Sequence, residues 1–121
     1  MLHLSSFCRY YLYFGGTDMR KGFDSLSGIV RAQMNQDAIS GSVFIFLNKK
    51  HNQVKLLLWE GDGFALYHKR LEQGTYELPS CNDESPGLSI TNEQLQFILQ
   101  GISLKHVRRR KRYQHTTQSS G

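Results

Sequence analysis

The pentapeptide Val43-Phe44-Ile45-Phe46-Leu47 is apolar at every position. Successive side chains of a β-strand point to opposite faces, so an unbroken apolar run needs cover on both sides. Residues 40–48 are therefore read as a central strand. Its neighbours follow closely. A polar turn, KKHNQ, leads to VKLLLWE (54–60), then FALYHKRL (64–71), then TYEL (75–78), entered through Gly74. RYYLYF (9–14), ending in Gly15-Gly16, supplies an N-terminal strand. Short strands joined by short turns predict an α+β domain built on an antiparallel meander of four to five strands.

The cover for one face comes from TDMRKGFDSLSGIVRAQMNQD. Met19, Phe23, Leu26, Ile29/Val30 and Met34 fall on one stripe of a helix. A long N-terminal helix is expected, capped by Thr17 or Asp18. Gly22 and Gly28 each weaken helix by about 1 kcal/mol relative to alanine. The first turn can therefore separate as a loop, with the helix starting near Phe23. Arg20, Asp24, Ser27 and Arg31 form its polar flank, read as a solvated surface. After Pro79, residues 80–89 read as a loop. TNEQLQFILQG then predicts a short C-terminal helix at the sheet edge. Thr91 and Gln94 make a capping box, Leu95, Ile98 and Leu99 the buried face, and Gly101 the C-cap.

The turn between the second and third of these strands, Glu60-Gly61-Asp62-Gly63, admits two readings. Were Asp62-Gly63 a two-residue turn, Lys55 would oppose Arg70, and like charges directly opposite are unfavourable. A turn centred on Gly61-Asp62 sets Trp59 opposite Phe64 and Leu57 opposite Leu66, and is preferred. Glu60 and Asp62 are then turn residues. A hard divalent cation needs several fixed oxygens, and no third carboxylate or histidine lies nearby in sequence, so no metal or catalytic role is assigned. In this register Lys55 and His68 share a face with Trp59, while Tyr67 and Lys69 share the other. Basic and aromatic residues on one face can hold nucleic acid, but here they are divided between faces, and core plus solvent explains them as well.

With 121 residues and 39% apolar side chains, one folded domain is expected over residues 1–104. No apolar run reaches the ~18 residues of a membrane span, and the N-terminus lacks the pattern of a signal peptide. Cys8 and Cys81 form neither a disulfide framework nor a zinc motif. A cytoplasmic protein with reduced thiols is expected. No Walker loop or nucleophile elbow is present.

Charge is uneven. Residues 105–112, KHVRRRKR, hold six of the 15 basic side chains and no acid. Residues 1–104 hold the other nine, against all ten acids. Residues 105–121 are expected to form a basic, flexible tail suited to polyanions. The candidate phosphate contacts are Arg20, Lys21, Arg31, Lys55 and Lys69, with Lys105, Arg108, Arg109, Arg110, Lys111 and Arg112 of the tail.

Four segments occur in order: TDMRKGFDSLSGIV (17–30), SGSVFIFLNKK (40–50), KLLLWEGDGFALYHKRLEQGTYELP (55–79) and LQFILQGI (95–102). Together they resemble the small accessory protein of the insertion sequence 66 family of bacterial transposable elements, over residues 9–104. The resemblance implies a non-catalytic role in transposition, without a cofactor, beside a larger transposase that carries the acidic catalytic residues. The family's own biochemical activity is not established; the basic tail and helix-flank residues are what point to DNA at the element ends as a partner. An adaptor that recruits or activates the transposase without touching DNA is the alternative, and self-association is open. The positions matching the family pattern most plainly are Asp18 to Phe23, Lys55, Leu57, Trp59, Asp62, Gly63, Phe64, Lys69, Leu71 and Glu72. Family members often carry several arginines in the turn that here reads KKHNQ, where His51 and Asn52 dilute the charge.

Overall fold

The computed structural model describes residues 9–78, 87–100, 102–103 and 108–109. The elements are β1 (Tyr10–Gly16), α1 (Phe23–Ala32), β2 (Val43–Leu47), β3 (Gln53–Trp59), β4 (Phe64–Arg70), β5 (Gly87–Ile90), α2 (Asn92–Leu99), β6 (Ile102–Ser103) and β7 (Arg108–Arg109). The first five strands form one sheet in the order β4-β3-β2-β1-β5. β2 lies at its centre with all five residues buried, as its unbroken apolar run requires.

The sheet is mixed rather than purely antiparallel. β1 and β2 run parallel, with Tyr10 opposite Val43 and Leu12 opposite Ile45. Parallel neighbours need a crossover of a dozen or more residues, and the segment carrying α1 supplies it. β2–β3, β3–β4 and β1–β5 are antiparallel.

Strand alternation divides the core in two. Phe44, Phe46 and Leu57 pack under α1, against Leu26, Val30, Met34 and Ala38. Val43, Ile45, Leu47, Val54, Leu56 and Leu58 face the other way, against Leu95 and Ile98 of α2. The C-terminal helix therefore covers the second face instead of sitting at an edge. Its capping box is present as expected: the Gln94 N–H donates to Thr91 Oγ1, and the Thr91 N–H donates to Gln94 Oε1. Gln100 is its C-cap, and the cap expected at Gly101 lies outside the described residues.

Other expectations fail for identifiable reasons. α1 starts at Phe23, as the two glycines allowed, but it is ten residues, not a long helix, and its N-cap is Gly22 rather than Thr17 or Asp18. Thr17 and Asp18 are engaged elsewhere: the Thr17 N–H donates to the Leu47 carbonyl, and the Asp18 carboxylate accepts from Arg20. Ser27, assigned to the solvated flank, is buried, and its hydroxyl donates to the Asp24 carbonyl. TYEL makes no strand; Tyr76 buries its ring in the core while its N–H donates to the His51 carbonyl. Residues 87–89, within the segment read as loop, form β5 together with Ile90 and pair with β1 at the sheet edge.

The hairpin register is the preferred one, with Trp59 opposite Phe64 and Leu57 opposite Leu66. The Glu60 N–H donates to the Gly63 carbonyl at 2.8 Å. Gly61 takes φ +98° there, a conformation costly for any residue with a Cβ. Of the tail, only Arg108–Arg109 is described, paired with Ile102–Ser103. Cys8, Cys81, Lys105, Arg110, Lys111, Arg112 and the expected boundary at 104 lie outside the described residues.

Candidate functional site

Parallel pairing brings the carboxyl ends of β1 and β2 to the same end of the sheet, so the chain leaves both strands there. An open groove of about 750 Å³ lies at that end, lined by residues 16–20, 48–50, 52, 53 and 70. Four cations, Arg20, Lys49, Lys50 and Arg70, and one carboxylate, Asp18, line it.

The turns that carry these charges are well fixed. The Asn48 side-chain carbonyl accepts from the Asn52 and Gln53 N–H groups, and its amide donates to Asn52 Oδ1 at 2.6 Å. His51 takes φ +58° inside this turn. The Leu71 N–H donates to the Asn52 carbonyl at 2.8 Å, binding the turn to the chain after β4. Lys49 lies over Gly16, where a Cβ would sit 2.7 Å from Lys49 Cγ. The absent side chain lets the lysine cross the strand end.

On the opposite wall, Arg20 Nη2 donates to Asp18 Oδ2 at 2.7 Å, and Arg20 Nε reaches both carboxylate oxygens. These bonds hold the Asp18 carboxyl well below the usual carboxylate range and raise the Arg20 guanidinium. Arg70 reaches Glu72 at 3.3 Å in an exposed pair. Exposed pairs of this kind are screened by water and contribute little to folding, so both arginines can exchange partners cheaply.

Lys55 is different. It is 7% exposed, and its ammonium donates to the Lys21 carbonyl at 2.8 Å. That bond ties the Asp18–Gly22 loop to the sheet and leaves the Lys21 side chain exposed. Next to Lys55, His68 Nε2 lies 2.9 Å from Gln53 Oε1. Partial burial, then the charges of Lys55 and Arg70, lower the His68 pKa.

The far end of the β3–β4 ribbon carries aromatics. Trp59 and Phe64 meet edge to face at 5.0 Å, and Phe23 of α1 stacks on Phe64 at 6.5 Å. Phe23 keeps 46% of its surface exposed. Glu60 and Asp62 are exposed at the tip beyond them. Among the described residues, no group of three or more His, Cys, Asp or Glu is placed to hold a metal ion, and no helix is long and apolar enough to cross a membrane.

Of the candidates from sequence, the fold brings Arg20, Lys21 and Lys55 to the groove and its margin. Arg31 lies in the last turn of α1, and Lys69 projects from the other sheet face, since its neighbours His68 and Arg70 are on the α1 side. Lys49, Lys50 and Arg70 were missed. The signal was available: a Lys-Lys pair closing β2, and a hairpin register that sets Arg70 beside Gln53.

The family model for IS66 Orf2-like proteins matches residues 8–109. The chain is 33% identical over 98 residues to the uncharacterised protein y4hO of Sinorhizobium fredii, covering 81% of this chain and 84% of that one. It is 27% identical over 93 residues to y4jC of the same organism, covering 77% and 78%. No solved structure matches significantly.

Proposed function

The chain belongs to the IS66 Orf2-like family, and from that premise we propose that it serves transposition as a non-catalytic, DNA-binding accessory factor. Family membership makes it a transposition-associated accessory protein; the contact with DNA and the non-catalytic role are the proposed parts. One observation carries it: Arg20, Lys49, Lys50 and Arg70 converge on one open groove with a single carboxylate. Like charges repel, and the exposed pairs of Arg20 with Asp18 and of Arg70 with Glu72 offset this only weakly, so a phosphate backbone would return free energy. Arginine forks and lysine ammonium groups both suit phosphate oxygens. The basic segment at 105–112 adds six further cations, enough to strengthen binding without sequence preference.

The test is a titration of the full chain against terminal-repeat and random duplexes at two salt concentrations. A second protein carries glutamine at Lys105, Arg108, Arg109, Arg110, Lys111 and Arg112. Binding that weakens with salt, and less steeply in the substituted protein, supports the reading. Absence of binding by the unaltered chain at low salt refutes it.

A further inference from the structure

We propose that the α1 face of the β3–β4 ribbon is a platform for single-stranded nucleic acid, with phosphates in the cationic groove and bases on Phe23 and Trp59. The inference rests on the reading above and narrows it to a strand state. The two halves of the platform share one face. The cross-strand pairs run Gln53–Arg70, Lys55–His68, Leu57–Leu66 and Trp59–Phe64, from cations at one end to aromatics at the other. At a strand rise of ~3.4 Å per residue, the six steps from Gln53 to Trp59 span ~20 Å, room for a few extended nucleotides. The exposed Lys21 and His68 lie between the two ends.

The aromatic end is what separates a single strand from a duplex. Phe64 holds the Phe23 ring in place by stacking, yet 46% of Phe23 faces solvent. An exposed ring oriented by a neighbour can accept another flat ring without first losing much freedom. Duplex bases are already stacked and paired, and the outside of the helix offers the ring only sugar and phosphate. Unpaired bases offer their π-faces, and stacking on a protein aromatic is sequence-tolerant. Charge complementarity at the groove selects a polyanion over an apolar peptide.

Trp59 is the one tryptophan of the chain, so its emission reports on the platform directly. The full-length protein is titrated with a twelve-residue oligothymidylate, the matching oligouridylate, and a duplex of equal phosphate count whose strands are joined by a non-nucleotide linker. Binding is followed in parallel by anisotropy of labelled strands. Either single strand should quench Trp59 and the duplex should not. Phe23→Ala should weaken single-strand binding by about tenfold and leave duplex binding unchanged. Phe23→Leu keeps the apolar contact with Phe64 but has no ring face, so it should show the same loss if Phe23→Ala folds poorly. Duplex binding as tight as single-strand binding, with Trp59 emission unmoved, overturns this inference and leaves the proposed function standing. No binding of any of the three overturns both.

Discussion

The two faces of the sheet obey the same alternation and end differently. On the α2 side, Ile45, Leu47, Val54 and Leu56 are covered by Leu95 and Ile98, with Tyr76 filling in beside them. On the α1 side, cover stops short. α1 has ten residues, ~15 Å of helix, and β3 beneath it is ~23 Å long. Apolar packing and the buried Lys55 occupy the middle; the cationic groove lies at one end, and the exposed Phe23 with the half-buried Trp59 and Phe64 at the other. The difference shows how one small domain divides its labour. The apolar contacts that close the α2 side over β2 and β3 supply stability, with Tyr67 and Lys69 of the edge strand β4 exposed beside them, while the α1 side has uncovered ends with polar groups to spare for a ligand.

That division can be broken from either side. The largest effect is expected from Leu56→Ala on the closed face. Leu56 is 1% exposed, and the substitution should cost about 2–5 kcal/mol in urea unfolding, with nucleic-acid affinity unchanged in the protein that remains folded. Lys55→Ala comes next. It strands the Lys21 carbonyl and should cost about 1–3 kcal/mol. A larger effect on binding than on unfolding would move Lys55 from architecture to contact.

Tyr76→Phe sharpens the same comparison. Among the described residues the buried Tyr76 hydroxyl has no hydrogen-bond partner. Removing it should stabilise the closed face by up to about 1 kcal/mol. Burial pushes the Tyr76 pKa from 10.0 up to about 12. The folded state thus favours the protonated phenol. Its contribution is intact below pH 10 and is lost as pH rises toward 12, so Tyr76→Phe should blunt alkaline unfolding measured by circular dichroism.

Asp18→Asn is the smallest change. Asp18 favours its charged form, so its contribution to stability is present above the ordinary carboxylate range and lost as pH falls below it. The pair is exposed, so thermal unfolding at neutral pH should hardly move. Loss of the carboxylate frees Arg20 and should tighten nucleic-acid binding a few-fold at low salt, read by anisotropy.

Much of this was legible in the sequence where local chemistry decides. The five apolar residues of β2 required a central strand, Thr91 and Gln94 marked a capping box, and like-charge repulsion between Lys55 and Arg70 selected the correct register. What failed depended on distant partners. A strand–helix–strand order over residues 9–48 fits a parallel crossover as well as it fits an entry into a meander. Thr17, one cap candidate for α1, is instead tied to the end of β2, its N–H going to Leu47 thirty residues away. Residues 87–89 of β5 read as loop because their partner, β1, lies over seventy residues upstream. The groove was hidden for the same reason: Arg20, Lys49 and Arg70 meet only once β1 and β2 run in the same direction.

The most direct test of the central claim, that the end groove binds phosphates, is the salt dependence of nucleic-acid affinity in full-length protein with and without Lys49→Gln and Lys50→Gln. Plotted as log K against log salt, the doubly substituted protein should give a line shallower by about 1.4 on a single strand or 1.8 on a duplex. Parallel lines of equal slope would contradict it.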